Sequence, residues 1–119
     1  MRVLIIDDDP TLLTMLKEML SRSDMEVITA GSGAEGVNAA KEHNPDVVVL
    51  DLMMPEVSGW EACKSIRKDS DVPILILSAV TDSAKVMASL DAGANDFLVK
   101  PVPKGVLVSH INRLSRMRR

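Results

Sequence analysis

Val47-Val48-Val49-Leu50-Asp51-Leu52-Met53-Met54-Pro55 decides the architecture of this chain. Three β-branched residues and a leucine in succession suit a strand, and the lack of alternation means that both its faces are buried. An acid follows where such a strand must stop, and Pro55 lies in the loop beyond. Two more runs have the same form. Val3-Leu4-Ile5-Ile6 leads into Asp7-Asp8-Asp9-Pro10, and Ile74-Leu75-Ile76-Leu77 leads into Ser78. Val27-Ile28-Thr29 and Phe97-Leu98-Val99 are shorter strand signals, the second ending at Lys100-Pro101.

Between these runs the apolar residues recur near a period of 3.6. Leu12, Leu13, Leu16, Met19 and Leu20 form one stripe, with Asp9 as N-cap and Pro10 in the first turn. Ser32 and Glu35 have capping-box spacing ahead of Val37, Ala39 and Ala40. Trp60, Cys63 and Ile66 mark a third helix from Ser58-Gly59. Val86, Met87 and Leu90 mark a fourth, capped by Asp82 or Ser83 and stopped by Gly93. Leu107, Val108, Ile111 and Leu114 mark a fifth. Strand and helix thus alternate five times, which predicts an α/β fold with a parallel sheet covered on both faces.

Composition agrees. At 119 residues, 46% apolar and 26% charged, the chain reads as one domain spanning residues 1–119, with enough apolar surface to fold. No apolar run approaches the ~20 residues of a membrane-spanning helix. Asp7, Asp8 and Asp9 interrupt any secretory signal core, so a cytoplasmic protein is expected. The single cysteine, Cys63, excludes an internal disulfide and reads as a buried small hydrophobe. A net charge of −3 argues against nucleic acid as a direct partner.

Open parallel sheets hold their chemistry beyond the carboxyl ends of the strands. Asp7, Asp8 and Asp9, then Asp51, Ser78 and Lys100 converge there from four separated segments. Carboxylates gathered in one pocket repel one another and suit a hard divalent cation, magnesium in particular. Lys100 and Ser78 can both reach a phosphoryl oxygen, and an ionised Asp51 can attack phosphorus.

On these residues the chain resembles the receiver domain of bacterial two-component response regulators. The matching motifs are Asp7-Asp8, Asp51-Leu52-Met53-Met54-Pro55 with Gly59, Ser78-Ala79 and Lys100-Pro101. The resemblance implies a doubly wound (βα)5 three-layer sandwich, flavodoxin-like, with sheet order 2-1-3-4-5. It implies Asp51 as phosphoacceptor from a sensor histidine kinase or phosphotransfer protein. Asp8 would bind Mg2+ directly, Asp7 mainly through water, and Met53 through its backbone carbonyl. Lys100 would pair with the phosphate, with the Lys100-Pro101 bond cis, and Ser78 would swing inward on phosphorylation. Phe97 stands at the position of an aromatic switch, with a plain core aromatic as the competing reading. The fourth helix, fifth strand and fifth helix would report the switch to a partner or to a second protomer in a homodimer. The only chemistry expected is the domain's own phosphorylation and dephosphorylation. Rival readings are a magnesium-dependent aspartyl-phosphate phosphatase or phosphotransferase, and a phosphorylation-independent interaction module.

Simpler roles are expected elsewhere. Asp9 caps a helix rather than binding metal. The eight methionines are mostly core filler, with Met53 and Met54 partly exposed beside the site. His43 belongs to a loop and His110 to a solvated helix face. The arginine-rich end, Arg113 to Arg119, suits the negative end of the last helix and the start of a linker, which would make the domain the N-terminal part of a longer regulator.

Overall fold

The computed structural model describes residues 1–117. Five strands, β1 (Arg2–Ile6), β2 (Glu26–Ala30), β3 (Val47–Leu50), β4 (Ile74–Ser78) and β5 (Asp96–Val99), alternate with five helices. These are α1 (Pro10–Ser21), α2 (Gly33–His43), α3 (Gly59–Arg67), α4 (Ser83–Asp91) and α5 (Lys104–Ser115). All strand pairs are parallel, and the sheet order is β2-β1-β3-β4-β5.

Alternate side chains of a strand point to opposite faces, so each central strand contributes to two cores. Leu4, Ile6, Val48, Leu50, Ile74 and Ile76 pack with Ala62, Cys63 and Ile66 of α3. Val3, Ile5, Val47, Val49, Leu75 and Leu77 pack with Leu16 and Leu20 of α1 and Leu107, Ile111 and Leu114 of α5. The unbroken apolar runs are explained: β1, β3 and β4 have no solvent face. β5, at the sheet edge, is only half-buried.

The helix starts follow their caps. Asp9 accepts from the N–H groups of Thr11 and Leu12. Ser58 and Glu61 form a complete capping box on α3. On α2 the box is incomplete, because the Glu35 carboxylate reaches past Ser32 to the Gly31 N–H at 2.9 Å. Val37, Ala39 and Ala40 are half-buried rather than buried.

Four expectations need correction. Only Met25 and Met54 among the methionines are buried, while Met1, Met15, Met53, Met87 and Met117 are exposed. On α4 the stripe does not turn inward: Met87 and Leu90 are 63% and 43% exposed, and Ser89 is the buried residue. Ser89 can be buried because its hydroxyl donates within the helix to the Val86 carbonyl, at 2.6 Å. His43 is the last residue of α2, which Asn44 ends in the left-handed region at φ 47°. His110 is no free surface group; its Nδ1 lies 2.7 Å from Asp96 at the start of β5, and Arg113 binds the same carboxylate oxygen. Of the arginine-rich end, Arg118 and Arg119 lie outside the described residues.

Candidate functional site

The backbone sets the site before any side chain does. Sheet hydrogen bonding runs one residue past the strand ends: the Asp7 N–H donates to Ala30, Asp51 to Ile6 and Lys100 to Ser78. These bonds hold three functional residues on one rim, at the point where the chain switches from building one side of β1 to the other. The loop after Asp51 is held equally closely. The Gly59 N–H donates to the Leu52 carbonyl at 2.8 Å, and a Cβ at Gly59 would collide with the Asp51 carbonyl oxygen and the Leu52 backbone. Only glycine permits that approach.

Oxygen atoms of Asp7, Asp8 and Asp51 all lie within 4.8 Å of one another. Asp7 and Asp51 are buried, whereas Asp8 is exposed. Lys100 reaches in from the end of β5, its Nζ 2.7 Å from Asp7 Oδ2 and 3.8 Å from Asp51 Oδ1. The other Asp7 oxygen accepts from the Asp9 N–H at 3.0 Å. Asp9 therefore has two jobs: its side chain caps α1 and its backbone fixes Asp7. The second job has no signature in residue type.

Burial pushes the Asp51 carboxyl above the usual carboxylate range. Lys100 opposes this, Asp7 adds to it, and hydrogen bonds from the Ser78 hydroxyl and the Met53 N–H pull it down without cancelling the rise. Ser78 is fully buried at the end of β4, on the same rim as Asp51. Its oxygen also lies 3.4 Å from the Val80 N–H. Phe97 is half-buried and packs against the core on the α3 face. The Lys100-Pro101 peptide is cis.

All side-chain donors in the cluster are oxygens, and the one lysine pairs with two of its three carboxylates, Asp7 and Asp51, which leaves an excess of negative charge. Such a donor set and charge imbalance fit a hard divalent cation. A soft or nitrogen-seeking metal has no ligand here.

Residues 3–112 match the family model for the response regulator receiver domain. The chain belongs to that family. The receiver is 39% identical over 118 residues to the DNA-binding response regulator MtrA of Mycolicibacterium smegmatis, covering 99% of this chain and 51% of that protein. It is 42% identical to the probable transcriptional regulator ycf27 of Guillardia theta, covering 97% of this chain and 45% of that protein. The receiver thus spans about half the length of the curated relatives it matches. Among solved structures, the BeF3-activated N-terminal receiver domain of Klebsiella pneumoniae RstA superposes with a TM-score of 0.93 at 28% identity. That match covers 98% of this chain and 99% of RstA's. Chemotaxis protein CheY4 of Vibrio cholerae gives a TM-score of 0.90 at 32% identity, covering 95% and 97%. The flavodoxin-like fold and the receiver assignment therefore stand. The receiver is a signalling domain rather than an enzyme of the ordinary kind. Among the described residues no helix is long and apolar enough to cross a membrane.

Proposed function

We propose that Asp51 accepts a phosphoryl group from a phosphohistidine of a sensor histidine kinase or phosphotransfer protein, in the cytoplasm. The observation that carries the reading is the clustering of Asp7, Asp8 and Asp51 within 4.8 Å, with Lys100 reaching both buried carboxylates. An Asp51 oxygen attacks phosphorus, the new P–O bond forms and the P–N bond to the donor imidazole breaks, leaving an acyl phosphate. Lys100 transfers its charge from Asp7 toward the phosphoryl oxygens, and the Ser78 hydroxyl donates to one of them. Asp8, Asp7, Asp51 and the Met53 carbonyl would hold Mg2+, which supplies positive charge to the phosphoryl group when bound. Water attack at phosphorus releases inorganic phosphate and restores Asp51. The domain's own phosphorylation and dephosphorylation are its only chemistry.

Two surfaces support the signalling role. An apolar groove lined by Leu12, Met15, Met19, Leu77, Pro101 and Val102 borders Lys100 and offers the donor's helix a seat. Met87, Leu90, Val99 and Val106 are exposed on α4, β5 and α5, which favours that face as the contact with a partner or a second protomer. Repacking of Phe97 would connect Asp51 to that face. Residues 1–119 are read as one receiver at the N-terminus of a longer regulator. Its effector would be DNA-binding, as MtrA is named. The relatives' names weigh against a phosphatase, and the charge cluster of Asp7, Asp8, Asp51 and Lys100 weighs against a phosphorylation-independent module.

Incubation with a small acyl-phosphate donor and magnesium should add one base-labile phosphoryl group, and Asp51→Ala should abolish it. Labelling that persists in Asp51→Ala overturns the assignment.

A further inference from the structure

Gly33 and Gly36 are the buried residues of α2, one turn apart on one face of the helix. Neither has a positive φ, so the helical backbone does not require glycine at either place, and alanine would favour the helix. The space in front of them does require it. A Cβ at Gly33 would lie 2.5 Å from the Val57 carbonyl oxygen, with Val57 Cγ1 at 2.8 Å and Cβ at 2.9 Å. A Cβ at Gly36 would meet the Ile6 side chain, with Cγ1 at 2.7 Å and Cγ2 at 2.8 Å. Val57 belongs to the loop that runs from Asp51 to α3, and Ile6 is the last residue of β1, directly before Asp7.

The two contacts differ in which side can yield. Toward β1 the first turn of α2 is fixed. Gly36 rests on Ile6, the Asp7 N–H donates to Ala30 just ahead of α2, and the Ser32 and Glu35 side chains hold the turn between. On the other side Val57 follows Glu56, whose φ of 64° lies in the left-handed region, and precedes Ser58, the N-cap of α3. We infer that Gly33 is a positioning residue for the acceptor loop: lacking a side chain, it lets Val57 seat against α2 and so sets where the backbone from Asp51 to Met53 lies in the magnesium site. This rests on the reading of that site given above. A methyl at Gly33 meets a backbone oxygen rather than the free end of a side chain, and α2 has no room to retreat, so the loop moves. Pro55, held to one φ, passes the displacement on toward Met53 instead of absorbing it.

Gly33→Ala is the test, with magnesium binding to the whole chain followed by calorimetry. Affinity should fall about tenfold, the low end for a group that orients a metal ligand without being one. Labelling of Asp51 by a small acyl-phosphate donor should slow at low magnesium and recover at saturating magnesium, a split that lost stability in a folded protein does not produce. In the metal-free protein the Met53 amide resonance should shift. Gly105→Ala, the same change in the first turn of α5 where the added methyl meets nothing within 4 Å, should leave all three readouts unchanged. If Gly33→Ala does not fold, Val57→Ala removes the other side of the contact and should weaken magnesium binding in its place. Unchanged affinity in folded Gly33→Ala, or in Val57→Ala where the first does not fold, overturns the inference. So does labelling that stays slow at saturating magnesium, or equal weakening in Gly105→Ala. A wild-type chain that binds magnesium but does not label at Asp51 overturns the acceptor reading alone, and one that does not bind the ion overturns both.

Discussion

Asp51→Asn should stabilise the metal-free protein, even though it removes a partner of Lys100. At 3.8 Å and an effective dielectric constant of ~20, Lys100 attracts the Asp51 charge by about 4 kcal/mol. An Asp7 oxygen within 4.8 Å repels the same charge by about 3.5 kcal/mol, so the two nearly cancel. Asp8 is exposed and screened and adds repulsion of about 1 kcal/mol. Burial, the largest influence on this carboxyl, then tips the balance against the charge. An isosteric amide should therefore gain about 1–2 kcal/mol, or roughly 4–8 °C in Tm for a domain of this size. The sign with pH follows from the raised pKa. The ionised carboxylate destabilises the fold fully above its folded-state pKa, and the cost disappears as pH falls through that value toward the unfolded 3.8. Thermal unfolding with a chelator at about pH 7.5 and about pH 4 is the assay, with the variant's advantage present in the first condition and mostly lost in the second. Millimolar magnesium should narrow the gap at neutral pH, because the ion favours the wild-type cluster. The reasoning is refuted if Asp51→Asn is no more stable at neutral pH without metal, or if its advantage persists unchanged in acid.

Further outcomes follow from the same geometry. Asp8→Ala should weaken magnesium binding at least about tenfold, whereas Asp9→Ala should cost about 1 kcal/mol of stability through its lost cap and affect the metal less; paired magnesium titrations and denaturant melts separate them. Met53 and Val80 stand two residues past Asp51 and Ser78, the positions that flank the phosphoryl group in receivers, and neither side chain can orient a water, so acyl-phosphate decay should take tens of minutes or longer, an order-of-magnitude expectation, and Val80→Glu should hasten it; decay within seconds in the wild type counts against this. Gly59→Ala should destabilise by about 1–3 kcal/mol and displace the loop after Asp51, since its methyl meets backbone rather than a side chain that can yield; urea unfolding measures the first effect and loss of labelling the second. Asp96 sits in a half-buried site that by itself would raise its pKa, yet the His110 hydrogen bond, the Phe97 N–H and the His110 and Arg113 charges hold it below the usual carboxylate range. Its stabilising contribution should be present above pH 3.8 and lost as pH falls through the lower folded value, which an NMR titration with and without His110→Ala would show.

The residues themselves determined the parallel sheet and the location of its chemistry. Val3–Ile6, Val47–Leu50 and Ile74–Leu77 are apolar on every residue, which only strands buried on both faces tolerate, and acids placed directly after them fall at the rim. The caps at Asp9 and Ser58 were equally local, because a side chain and the N–H groups it satisfies lie within three residues. Tertiary structure alone decided what depends on neighbours distant in the chain. The stripe on α4 has a helical period, but a period does not say which face meets the sheet, and beside the edge strand β5 it is Ser89 rather than Met87 that turns inward. His110 looked solvated until the fold set it against Asp96, 14 residues away. The charge balance at Asp51 likewise follows from the burial of Asp7 and the reach of Lys100 across 93 residues to its oxygen, for electrostatic energy depends on ångströms and dielectric surroundings, which a linear sequence does not contain.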